Sequence, residues 1–320
     1  LVARLSGAYV LRVSRLLTDH YGDVRAGLLA QAIHTANTAH LNPRTEAGRR
    51  VAGPDGILPD GLRRPIGISR LADTAGLPFE STRRIVRGLI DAGHCVRAAD
   101  GVIIPGATLG RPEHASLVIA NLGYTRKFVR DLQAVGVADA AATAWTRLPE
   151  ETDEAALARS VARLTAEYLL RALELLAKGY GDIRAGIVAQ AIVTANTAHL
   201  DARLGGPLRY AAIDDPGPDE VRRPVSIARL ADSLGVPYET MRGQAHRLVK
   251  AGLCARVEGG LIVPQAVVEK PVAVSVMLEN VAHLRKLVRD LQRFCASLSP
   301  GEIRSDSDAE PLRDRDASHP

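Results

Sequence analysis

Charged and small polar side chains recur at one-turn spacing in two short segments, FESTRRIVRG at 79–88 and YETMRGQAHR at 238–247. An arginine guanidinium can donate two parallel hydrogen bonds to a guanine edge or to a phosphate, and a carboxylate can accept from the amino group of cytosine. A helix entering a major groove presents the residues of its first turns to the base edges. Those residues are Glu80, Ser81, Arg83, Arg84 and Arg87 in one segment, and Glu239, Thr240, Arg242, Gln244 and His246 in the other. Arg83 and Arg242 are equivalent, whereas Arg84 aligns with Gly243 and Arg87 with His246, so an imperfect palindrome is the expected target. Each of these side chains also has a plainer role. A glutamate in a first helical turn complements the helix dipole, and an arginine one turn on can pair with it.

A second set of basic residues surrounds these segments. Arg63, Arg64, Arg222 and Arg223 precede them, Arg70 and Arg229 lie on a short helix before each, and Arg97 and Arg256 follow on short strands. Contacts from such residues to phosphate fix register without reading sequence and make binding salt-dependent. Other chemistry is not signalled. The sequence has no phosphate loop, dinucleotide fingerprint, zinc-hydrolase pair or nucleophile elbow. No Cys, His or carboxylate set has metal-ligand spacing. No enzyme activity, cofactor or metal is therefore expected, and Cys95 and Cys254 read as small buried hydrophobes.

The elements that hold these residues occur twice. YGDVRAGLLAQAIHTANTAHL at 21–41 returns as YGDIRAGIVAQAIVTANTAHL at 180–200, identical at 17 of 21 positions and offset by 159. RRPIGISRLADTAGLP at 63–78 and RKFVRDLQ at 126–133 return at the same offset. The expected organisation is a first repeat over 1–136, an Ala-rich linker over 137–159, a second repeat over 160–296 and a disordered tail over 297–320. Within a repeat, the apolar spacing of Leu5, Tyr9, Val13, Leu16 and Leu17 predicts a first helix. Asp23 caps a second helix that carries Gln31, Thr35 and Thr38 on one face, as the second repeat carries Gln190, Thr194 and Thr197, a shared polar stripe that could bond across a pseudo-two-fold axis. Pro- and Gly-rich loops follow at 42–62 and 201–221. Next come a helix over 68–75, a three-residue turn at Gly76-Leu77-Pro78, and a helix over 79–92 ended by Gly93. Two strands, 95–99 and 102–104, are joined by Asp100-Gly101; the second repeat gives 254–257 and 261–263 around Gly259-Gly260. Long helices over 112–135 and 271–295 start at Pro112 and Pro271. They carry apolar seams (Val118, Leu122, Thr125, Val129, Leu132; Met277, Val281, Leu284, Val288, Leu291) suited either to the domain's own core or to self-association. The fold class is mainly α with small β-hairpin wings: two duplicated winged helix-turn-helix domains with flanking helices.

Over ISRLADTAGLPFESTRRIVRGLIDAG the sequence resembles the DNA-binding segment of IclR-type bacterial regulators, and also the MarR and GntR groups, across about forty residues per repeat. The resemblance implies a winged helix. IclR-type regulators normally add a separate effector domain, and no residues are left over here to form one.

Composition agrees with a polyanionic partner. The 320 residues carry a net charge of +5; the last twenty hold −3, leaving +8 on residues 1–300. Of the 41 basic residues 36 are Arg, a bias that a GC-rich genome also produces. Eleven aromatics are few for a reader of single strands, which stacks bases on rings, so duplex DNA is the expected partner. No apolar stretch nears the ~20 residues of a membrane span, and three cysteines point to a reducing compartment. With no initiator methionine, the chain is expected to begin within a longer gene product. The expectation is a cytoplasmic, nucleoid-associated, sequence-specific double-stranded DNA-binding protein, a bacterial transcriptional regulator with recognition helices about one helical turn apart. The alternatives are a protein-interaction scaffold of a chromosome-organising complex and a plasmid-type replication initiator.

Overall fold

A computed structural model describes residues 1–41, 57–138, 154–201, 210, 212 and 215–296. It is mainly helical, with two small antiparallel hairpins. The first half contains α1 (Val2–Tyr21), α2 (Val24–Thr38), α3 (Ile68–Ala75), α4 (Phe79–Asp91), β1 (Val96–Ala98), β2 (Gly101–Ile103), α5 (Gly106–Leu109) and α6 (Pro112–Ala134). The second contains α7 (Glu154–Tyr180), α8 (Ile183–Asp201), α9 (Ile227–Leu234), α10 (Tyr238–Lys250), β3 (Ala255–Val257), β4 (Gly260–Ile262), α11 (Gln265–Val268) and α12 (Pro271–Ala296). Of the anticipated linker over 137–159, residues 154–159 form the start of α7 and 139–153 lie outside the described residues, as do the anticipated tail over 297–320 and most of the two long loops.

Local chemistry sets the boundaries. Gly22 ends α1 at φ 76°, and the Asp23 carboxylate accepts from the Arg25 N–H to start α2. Asp182 accepts from the Ala185 N–H at the equivalent place. Pro112 occupies the first turn of α6, where no N–H is needed. The hairpin register differs from the sequence expectation by one residue. Ala98 pairs with Gly101 and Val257 with Gly260, so the turns are Ala99-Asp100 and Glu258-Gly259. Both glycines open their strands at positive φ, where a Cβ would collide with the carbonyl of Ile66 or Val225 on the adjoining segment.

The two halves share one core. α1 packs on α2, α6 and α8, while α7 packs on α2, α6, α8 and α12. At the centre Tyr9 stacks on Phe128 with ring centroids 4.6 Å apart and lies 6.2 Å from Tyr168. A crossed hydrogen-bond ladder surrounds these rings. The Tyr9 hydroxyl donates to Asn121 Oδ1 (3.3 Å), and Asn121 Nδ2 donates to Thr165 of the other half (3.2 Å). Tyr168 donates to Asn280 Oδ1 (3.1 Å), and Asn280 Nδ2 donates to Ser6 (2.9 Å). Each asparagine thus joins a tyrosine of its own half to a hydroxyl of the other. This ladder crosses between the halves where the Gln31 and Gln190 stripes were expected to; Thr38 and Thr197 instead bond back within their own helices, to His34 and Val193 carbonyls.

The seams of α6 and α12 also find their partners inside the chain. Val118, Leu122, Val129 and Leu132 are buried against α1 and α7, and Leu284, Val288 and Leu291 are buried in the same cluster. Self-association through 112–135 and 271–295 is left only the apolar surface outside these buried residues: half-buried Met277 and Val281 of the α12 seam, and exposed Ile119, Val272 and Leu278.

Candidate nucleic-acid interface

In each half two helices, a tight turn and a hairpin are held together by buried polar groups. Leu71 and Ala72 of α3, and Thr82, Val86 and Leu89 of α4, face inward, leaving the opposite faces in solvent. Gly76 at φ 61° and Gly235 at φ 64° close the first helix of each pair. Asn37, wholly buried on α2, donates to the carbonyls of Arg64 (2.8 Å) and Val102 (3.2 Å) and accepts from the Ile104 N–H (3.0 Å). Asn196 makes the same three bonds to Arg223, Leu261 and Val263. One amide per half therefore fixes the hairpin and the chain entering α3 or α9 to the core. Sequence reasoning passed over both asparagines, although the shared tripeptide Ala36-Asn37-Thr38 and Ala195-Asn196-Thr197 was in view.

Most of the anticipated base-reading residues lie on the solvent face. Glu80, Arg83, Arg84 and Arg87 are exposed, as are Glu239, Thr240, Arg242 and His246, and Ser81 is half-buried. Arg83 pairs with Glu80 at 2.7 Å and Arg242 with Glu239 at 2.7 Å, all four side chains largely in water. Such exposed pairs are worth little and are readily exchanged for another partner. Gln244 is a correction. It is 5% exposed, on the face that carries Met241, Ala245 and Leu248, and so points away from any ligand of the outer face. Its counterpart is Ile85, an apolar residue at the same helical position, and the repeat alignment already carried that signal.

The anticipated phosphate contacts divide the same way. Arg64, Arg70, Arg97, Arg223, Arg229 and Arg256 are exposed. Arg63 and Arg222 are corrected, being 6% and 5% exposed. Each bonds an aspartate three residues earlier: Arg63 Nε to Asp60 at 3.0 Å and Arg222 Nε to Asp219 at 3.1 Å. The same aspartates accept from the N–H of Gly106 and Gln265, both at 2.6 Å, so these arginines order the segment that enters the helix pair. The recurrence of Asp and Arg three apart was the available signal.

Several residues join the outer face that sequence reasoning had not placed there. Arg247 and Lys250 are exposed on α10, and Phe79 and Tyr238 are 48% and 49% exposed in the first turns of α4 and α10. Three arginines on α4 face two carboxylates, Glu80 and Asp91, while Arg242, Arg247 and Lys250 on α10 face only Glu239. Both helices are net basic, by one and two charges. Cys95 and Cys254 are buried and free, their thiols pushed up to about 11 by burial. Among the described residues no group of three His, Cys or carboxylate side chains is placed to hold a metal ion. Nor is any described helix long and apolar enough to cross a membrane.

Comparison with protein-family models, with curated proteins and with solved structures finds no match to this chain.

Proposed function

We propose that each half is a winged helix-turn-helix unit of the kind the IclR-type resemblance implies, and that the chain binds double-stranded DNA in a sequence-specific way as a transcriptional regulator in the cytoplasm. The carrying observation is that α4 and α10, at the same place in both halves, turn their apolar residues inward and a net-basic row outward. Arg83 and Arg242 give up their weak glutamate pairs to a base or a phosphate, and Arg64, Arg70 and Arg97 with their counterparts contact the flanking backbone. Arg84 and Arg87 against Gly243 and His246 make the two half-sites unequal.

The test is binding to fragmented genomic DNA and to a scrambled duplex, by fluorescence anisotropy at two salt concentrations. Fragment-selective binding that weakens with salt is expected. Equal weak binding to both duplexes would reduce the protein to a nonspecific coater. Absence of binding at low salt would overturn the reading and turn attention to Phe79 and Tyr238 as contacts for a protein partner.

A further inference from the structure

Between α1, α2, α6 and the start of α7 lies a cavity of about 40 Å³. That is room for roughly three waters, or one small oxyanion. Its walls include the side chains of Arg63, Arg159, Arg163, His34 and His114, and among the described residues no carboxylate lines it. The Arg63 side chain is wholly buried; its Nε and Nη2 are bonded, but its Nη1 has no partner. Arg163 Nε, His34 Nδ1 and His114 Nδ1 are likewise buried and unbonded. Unsatisfied buried donors and clustered guanidinium charges are both costly, and both costs fall if an anion sits among them. Burial and the charges of Arg163 and Arg63 hold His34 down to about 3, and burial with His20 and Arg159 holds His114 down to about 4. Both rings are therefore neutral at pH 7, and each can present an N–H.

The second half supplies the contrast. The equivalent cavity, of about 360 Å³, has Val193 and Ala273 where the first has His34 and His114, and it is lined mainly by apolar groups such as Val276 and Met277. The histidines are thus a property of one cavity and not of the fold.

We propose that the first-half cavity binds a small oxyanion, a carboxylate or phosphate-type group, held by Arg63 and Arg163 with His34 and His114 as neutral donors. Arg163 comes from the second half and Arg63 from the first, so the anion ties the two together. This site does not depend on the DNA reading.

The test is calorimetric titration of the full chain at pH 7 with sodium acetate and, separately, inorganic phosphate, each against chloride at matched ionic strength. Saturable binding of one acetate or phosphate per chain is expected, lost in Arg163→Met and weakened about tenfold or more in the His34→Val, His114→Ala double variant. At a hundredfold excess over Kd, the melting temperature should rise by roughly 3–6 °C. Acetate alone would assign a carboxylate ligand, phosphate alone a phosphate-type one, and both a general oxyanion site. The double variant carries the residues with which the second half folds, so it reports even if Arg163→Met does not fold. The absence of saturable heat with either anion, or binding by the double variant and by Arg163→Met as tight as that of the unaltered chain, would overturn the proposal.

Discussion

The two halves agree where they face inward and differ where they face a cavity or the solvent. Asn37 and Asn196, Asn121 and Asn280, Arg63 and Arg222, and Tyr9 and Tyr168 occupy matching places and make near-matching bonds; each tyrosine bonds the asparagine of its own half, and that asparagine bonds a hydroxyl of the other. Against this, His34 stands opposite Val193, His114 opposite Ala273, Ile85 opposite Gln244, and Arg84 opposite Gly243. A buried amide that satisfies three backbone groups leaves no room for substitution, whereas a cavity wall or a solvent-facing position tolerates change. The difference locates the individual character of each half outside its hydrogen-bonded frame.

Acid should expose the largest difference. His34 is faced by Arg63, Arg163 and His114, and His114 by His20, His94 and Arg159, so the native fold refuses protons that the unfolded chain accepts below about pH 6.5. Native stability therefore falls as pH falls, with a slope that approaches about 1.4 kcal/mol per unit for each ring, or about 3 kcal/mol for both between pH 6.5 and 5. His20 and His94, also held low, add in the same direction. Urea midpoints measured across this range should show the double variant His34→Val, His114→Ala losing most of that slope. An unchanged slope would mean that the first-half cavity is not what senses acid.

Asparagine replacement tests the shared frame. Asn37→Leu should cost about 3 kcal/mol, because it strands the Ile104 N–H and the Arg64 carbonyl and leaves the Val102 carbonyl with the Ile66 N–H alone. Asn196→Leu should match it within about 1 kcal/mol, given bonds that differ by no more than 0.2 Å. Widely unequal urea midpoints would break the equivalence of the halves.

On the outer face, Arg83→Ala and Arg242→Ala should each weaken specific DNA binding by roughly 5- to 150-fold and relax one base position in its own half-site. A uniform loss on every duplex would reassign that arginine to phosphate. The smallest effect is expected at Gln244, whose Oε1 is buried without a partner. Gln244→Ile installs the residue of the first half and should raise stability by about 1 kcal/mol in thermal unfolding, since it removes an unsatisfied acceptor. A loss would mean that the amide has a role in the second half that the first does not share.

Helices, the three-residue turn and the hairpins were legible in sequence because they are set by local spacing, by glycine and by proline. Phe79–Asp91 follows from apolar residues three and four apart, and Gly93 at φ 72° from its place after them. The hairpin slipped by one residue because Gly101 suited a turn position as well as it suits the first residue of β2. What sequence could not show is what reaches across 159 residues: Thr165 meeting Asn121, Arg163 entering the cavity of the first half, and α6 spending its seam on α7 rather than on a second chain. At the candidate interface, direction was legible for Arg83 and Arg242. It failed for Arg63 and Arg222, whose charge suggested an outer surface while their aspartate partners drew them in.

The crossed ladder at the centre bears on how the chain is made. Synthesis runs from the first half to the second, and Asn121, Tyr9 and Phe128 complete their surroundings only with Thr165 and Tyr168 of α7. While the ribosome has delivered only the first half, α1 and α6 can close on each other but the apolar surface that α7 covers stays open, which is the state in which nascent chains aggregate or recruit chaperones. Its release from that state awaits α7, so the later-made half completes the folding of both.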